Sequence, residues 1–148
     1  MSRFVVAASS ALWCAMLCQG ADKSAYWIDP DTHVMWTAAD NGMGVSWIQA
    51  QRYCRDLTLA GFHNWTLPTI DDLQVLVTTG ESQGGYRIKA PIKLTGWQWS
   101  STPGKQDGES WALDFGDGAR ASVAAGDSGL NRALCVRHTD SGQENGKK

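Results

Sequence analysis

Past its opening twenty residues the sequence has no apolar run of the roughly 20 residues that a membrane-spanning helix needs. It also has no internal repeat, which sets aside solenoid and propeller architectures. It lacks an excess of positive charge, with 13 Lys and Arg against 15 Asp and Glu. That balance argues against a general nucleic-acid binder, whose footprint is strongly basic. Cysteine is scarce, at four in 148 residues, and two of these, Cys14 and Cys18, fall in the opening segment. Tryptophan is plentiful at eight, so most of the indoles are expected inside the fold or along a surface groove.

Residues 1–20 read as a secretory signal peptide: Arg3 supplies the positive start, residues 4–18 a short apolar run, and Gly20 and Ala21 the small residues at its end. The alternative is an uncleaved anchor. Trp13 and Leu17 precede the two leader cysteines, where a lipoprotein would need a small residue. Cleavage near Gly20 leaves Cys54 and Cys135, and two cysteines in an exported chain most simply form one disulfide. Closing so long a loop is worth about 4 kcal/mol in the chain-entropy model. The expected location is periplasmic or secreted.

The mature chain reads as one domain over residues 21–138, followed by a polar, disordered tail at 139–148. Tyr26, Trp27 and Ile28, then His33 to Thr37, flank Asp29-Pro30-Asp31-Thr32, a hairpin pattern. Ser46 and Gln49 make a capping box before a helix whose apolar face would hold Trp47, Ala50, Tyr53, Cys54 and Leu57. A second short helix is expected from Thr69, with Asp72 in its first turn and Leu73, Leu76 and Val77 as its stripe. Residues 79–96 read as a long, glycine-rich loop, a kind that often carries function. Strands follow at 97–101, at 110–115 and 119–124 around Gly116-Asp117-Gly118, and at 132–138. On the last strand Ala133, Cys135 and Arg137 would share one face, and Leu134 and Val136 the other. Trp36, Trp47, Trp65 and Trp99 are expected in the core, and Trp27 and Trp97 near the surface. The fold class is therefore α+β, with two helices packed on a mainly antiparallel sheet.

Several segments resemble the Lcl C-terminal domain family, named after a collagen-like adhesin of Legionella. They are Val34-Met35-Trp36, the helix from Ser46 to Cys54, the run from Leu59 through Trp65-Thr66-Leu67-Pro68 to Thr69, Asp72-Leu73, Trp99-Ser100-Ser101-Thr102, and Cys135-Val136-Arg137. Their order and spacing cover nearly the whole mature chain. The resemblance implies a C-type lectin-like fold, related to that of formylglycine-generating enzymes, with a variable loop region presenting a ligand surface. The namesake adhesin binds sulfated glycosaminoglycans. This chain has no collagen-like repeats, and Thr66 stands where the family usually carries arginine. Any contact made by that arginine is therefore missing.

The motifs that carry chemistry are thin. Gly126-Asp127-Ser128-Gly129 echoes a serine-protease nucleophile segment, but no histidine base and orienting acid accompany it, and the chain is too short for two β-barrels. A turn accounts for it. Cys54, His63, Cys135 and His138 match no familiar zinc spacing. No cofactor is implied. The carboxylates leave room for a structural calcium ion without indicating one, because residues 79–96 hold only Glu81 and Gln83 as carboxylate and amide side chains. The formylglycine cysteine pair has no counterpart, so no enzyme activity is expected. The candidate ligand-binding residues are Arg87, Lys89 and Lys93 on the long loop, with Trp97, Arg120 and Arg132 converging from later strands. Such a patch attracts sulfate or carboxylate groups. The expected function is an exported, non-catalytic binding module for an anionic polysaccharide or a surface protein. The alternative is a structural or assembly protein of the bacterial envelope.

Overall fold

The computed structural model describes residues 25–80 and 84–139. The leader, its two cysteines, and the tail from Asp140 lie outside these residues. In chain order come β1 (Tyr26–Ile28), β2 (Met35–Thr37), α1 (Trp47–Asp56), α2 (Ile70–Leu76), β3 (Trp97–Pro103), β4 (Glu109–Leu113), β5 (Arg120–Ala124), β6 (Asn131–Arg132) and β7 (Val136–Arg137). One sheet has the order β1-β2-β7 and the other β5-β4-β3-β6. Every pairing is antiparallel except β3 with β6. The fold is α+β, as read from the sequence.

Local chemistry sets the element ends. The β1–β2 turn closes on Asp29, whose Oδ1 accepts from the Asp31 N–H at 3.0 Å and whose carbonyl accepts from the His33 N–H at 2.8 Å. His33 takes the left-handed conformation there, at φ 59°. Both helices open on reciprocal capping boxes, Ser46 with Gln49 and Thr69 with Asp72. The β4–β5 hairpin turns through Gly118 at φ 82°, a conformation glycine adopts without strain.

The apolar interior falls into two clusters. One gathers Trp36, Ile70, Leu73, Leu76, Ile88, Ala90, Ile92, Leu94, Leu113, Phe115, Leu134 and Val136. The other holds Met35, Ala50, Cys54, Trp65, Leu67, Trp99, Ala112, Ala133 and Cys135. Neighbours along the chain divide between them: Met35 and Trp36, Ala112 and Leu113, and Ala133 to Val136. Extended backbone points successive side chains to opposite faces, so these segments form a shared wall with a core on each side. The helix α2 fills the first cluster and α1 the second. The disulfide Cys54–Cys135 ties α1 to this wall, with a Cα–Cα distance of 5.4 Å across 81 residues of sequence.

Three expectations need correction. The stretch 132–138 is not one strand: β6 pairs with β3 and β7 with β2, in different sheets. Between them the backbone bonds instead to residues 37–41. The Ala133 N–H donates to Asn41 Oδ1, and the Cys135 N–H to Thr37 Oγ1. The alternation of faces survives, and Arg137 ends with its guanidinium 4.9 Å from the Phe62 ring centroid and its Nε donating to the His63 carbonyl. Tyr53 is 41% exposed, because the buried stripe of α1 centres on Ala50 and Cys54 and leaves it at the margin. The segment 79–96 is not a free loop in its second half. Ile88, Ala90, Ile92 and Leu94 are all buried, and single bridges join Val77 to Ile88 and Ala39 to Lys93. The Thr139 hydroxyl donates to the His33 carbonyl at 3.3 Å.

Candidate functional site

The buried alternation of residues 88–94 puts Lys89, Lys93 and Thr95 on the outside. Lys89 is drawn to the first hairpin, with Nζ 2.9 Å from Asp29 Oδ2 and 3.2 Å from Asp31 Oδ2. Asp29 is 1% exposed. Burial pushes its carboxyl pKa up, but the Asp31 N–H bond and the Lys89 ammonium outweigh it and hold it below its ordinary value. The same contact with Asp29 holds the Lys89 ammonium above its ordinary pKa. Arg120 is held by α2: its Nε donates to Gln74 Oε1 at 2.8 Å, and its Nη1 lies 3.9 Å from Asp71. Arg87 is exposed, and its N–H donates to the Phe115 carbonyl.

Arg132 differs. Its Nε donates to Thr95 Oγ1 at 3.0 Å, and its Nη1 to the carbonyls of Gly129 and Asn131. It lies against Gly96, where a Cβ would sit 2.5 Å from the Leu130 carbonyl oxygen and 3.2 Å from Arg132 Cζ, so only glycine fits. Trp97 follows directly, half-buried at the start of β3 and in register with Asn131 on β6. The six nominated residues therefore have separate anchors: Arg87 beside Phe115, Lys89 on the first hairpin, Lys93 in a bridge with Ala39, Arg120 on α2, and Trp97 and Arg132 where β3 pairs with β6. Among the described residues no carboxylate lies within ion-pair distance of Arg87, Lys93 or Arg132.

Sequence reading missed the residue that organises this corner. Asp40 is buried, and its carboxylate accepts from the N–H of Gly42, the N–H and hydroxyl of Thr95, and Nε2 of Gln98, all at 2.7–2.9 Å. It meets Arg132 only through the Thr95 hydroxyl. Four donors satisfy a buried carboxylate well. The sequence signal, an Asp-Asn-Gly turn after a strand, marks the turn but not its long-range partners.

A second concave surface lies elsewhere and uses none of the six. It is an open groove of about 560 Å³ between Gln51 and Arg55 of α1, the segment 65–67, Thr69 and Asp72 at the start of α2, Ser101 of β3, and His138. His138 Nε2 is 3.4 Å from Asp72 Oδ2, the oxygen that also caps Thr69. The groove is assembled from five separated stretches, so no local pattern announces it. Among the described residues no cluster of three His, Cys, Asp or Glu side chains suited to a metal ion is present.

Fold and surface together define a small disulfide-tied α+β domain with exposed basic residues on separate anchors and an open groove between α1 and the start of α2. The chain belongs to the Lcl C-terminal domain family, whose model matches residues 25–137. No curated protein matches the chain.

Proposed function

We propose that this protein is an exported, non-catalytic binding module of C-type lectin-like fold, periplasmic or secreted, that holds an anionic glycan at the corner formed by Lys93, Trp97 and Arg132. The observation that carries this reading is the state of Arg132. Its guanidinium is fixed by neutral acceptors, so its charge is oriented but not cancelled by a contacting carboxylate. Lys93, exposed two residues before Thr95, adds a second cation along the same extended edge. Guanidinium groups held this way suit sulfate and carboxylate oxygens, and the half-buried indole of Trp97 offers a sugar an apolar face. The leader and the disulfide support an oxidising compartment.

Heparin-column retention of the mature protein tests the reading. Retention should fall as salt rises. The pair Lys93→Glu and Arg132→Glu should abolish it, while Arg120→Glu, already facing Asp71, should change it little. Salt-insensitive retention, or equal effects from every reversal, contradicts the proposal. A second reading, an envelope assembly protein, is favoured by one feature: a shallow concave face lined by Met43, Val45, Tyr53 and Leu57, with Met43 64% exposed. On that reading a partner protein co-purifies, and Met43→Asp releases it.

A further inference from the structure

We infer that the groove between α1 and the start of α2 is a second ligand site, for a neutral saccharide of two or three rings. Its volume, about 560 Å³, lies in the range of small-ligand sites. Most of its wall is apolar, and its rim carries hydrogen-bonding groups not spent within the protein. Gln51 and Ser101 make no side-chain hydrogen bond among the described residues. Only one Asp72 oxygen is used, by the Thr69 N–H and His138. Arg55 turns Nε and Nη2 to Asp56 and keeps Nη1 free.

The pairing of the charges selects the ligand class. Arg55 is already paired with Asp56, and Asp72 caps Thr69 and faces His138, so neither charge is left unpartnered for an ionic ligand. Groups that both donate and accept suit such a mixed rim, and vicinal hydroxyls on a ring with apolar C–H faces combine these properties. The site shares no residue with the Lys93–Arg132 corner.

The test titrates the mature protein with cellobiose, maltose and N,N′-diacetylchitobiose, following backbone and side-chain amides by NMR. At least one sugar should move Gln51, Ser101 and His138 together, with saturation in the millimolar range. Thr66→Phe should abolish the shifts by filling the groove. Its backbone still pairs with Val136, and its hydroxyl contact, at 3.5 Å, is long. Gln51→Ala, on the helix surface, should weaken binding about tenfold and leave heparin retention unchanged. If none of the three sugars moves the groove amides, or if both variants bind as well as the parent, the inference is wrong.

Discussion

The two cores share a wall but are closed by different means. The α2 side is packed with branched aliphatic side chains, Ile70, Leu73, Leu76, Ile88, Ile92, Leu94, Leu113 and Leu134, around Trp36 and Phe115. The α1 side has alanine at Ala50, Ala112 and Ala133, two indoles, and the buried Cys54–Cys135 link. Alanine contributes little apolar area, and each buried aliphatic side chain adds about 1.5–3 kcal/mol. The thinner core is the one that carries the covalent link. The difference teaches that α1 combines packing against Met35, Leu67 and two indoles with a covalent tie, where α2 is held by packing alone.

Replacing Cys54 and Cys135 together by alanine should have the largest effect. The loss of loop constraint should cost about 4 kcal/mol by the chain-entropy estimate, read as a lower urea midpoint with an unchanged slope. Leu73→Ala, in the α2 core and fully buried, should cost about 3 kcal/mol through lost transfer energy and a cavity. If Leu73→Ala proves the costlier of the two, the covalent tie does not make up for the thin core, and the contrast fails.

The smallest effect should come at the margin of the aliphatic core, where Lys89 meets Asp29. The Asp29 carboxyl is held below its ordinary pKa of 3.8. Its contribution is therefore complete above that pH and is lost as pH falls through the lower folded value. The Lys89 ammonium is raised above 10.5, so its share is present below that pH and fades only in strong alkali. Stability from this pair should thus be flat between about pH 5 and 9. Asp29→Asn should lower neutral-pH stability by about 1 kcal/mol and flatten the acid limb below pH 4. An unchanged acid limb would detach this hairpin from the aliphatic core's stability.

Much of the frame is legible because it is written in short-range chemistry. Ser46 with Gln49 and Thr69 with Asp72 mark the helix starts to the residue. The Cys54 stripe and the alternation from Ala133 to Val136 name the buried faces before any fold is known. The buried run Ile88, Ala90, Ile92 and Leu94 carries the same period of two, but Pro91 and the glycines upstream disguise it as loop. Pro91 offers no N–H to a ladder, so only isolated bridges form. The split of β6 from β7 depends on Thr37 and Asn41, which are near only in space. The candidate surfaces were the least legible. The basic residues were visible, but their pairing with Asp29, Asp31 and Asp71 was not, and neither was the anchoring of Arg132 through Thr95 and Asp40. The groove draws on residues from Gln51 to His138 and has no sequence pattern of its own.

The whole arrangement rests on α1 being covalently joined to the shared wall. Peptide mapping of the protein recovered from its native compartment, alkylated before reduction, tests this directly. The account predicts a single cross-linked peptide pair containing Cys54 and Cys135, with neither thiol alkylated. Recovery of both cysteines as alkylated, unlinked peptides would contradict it.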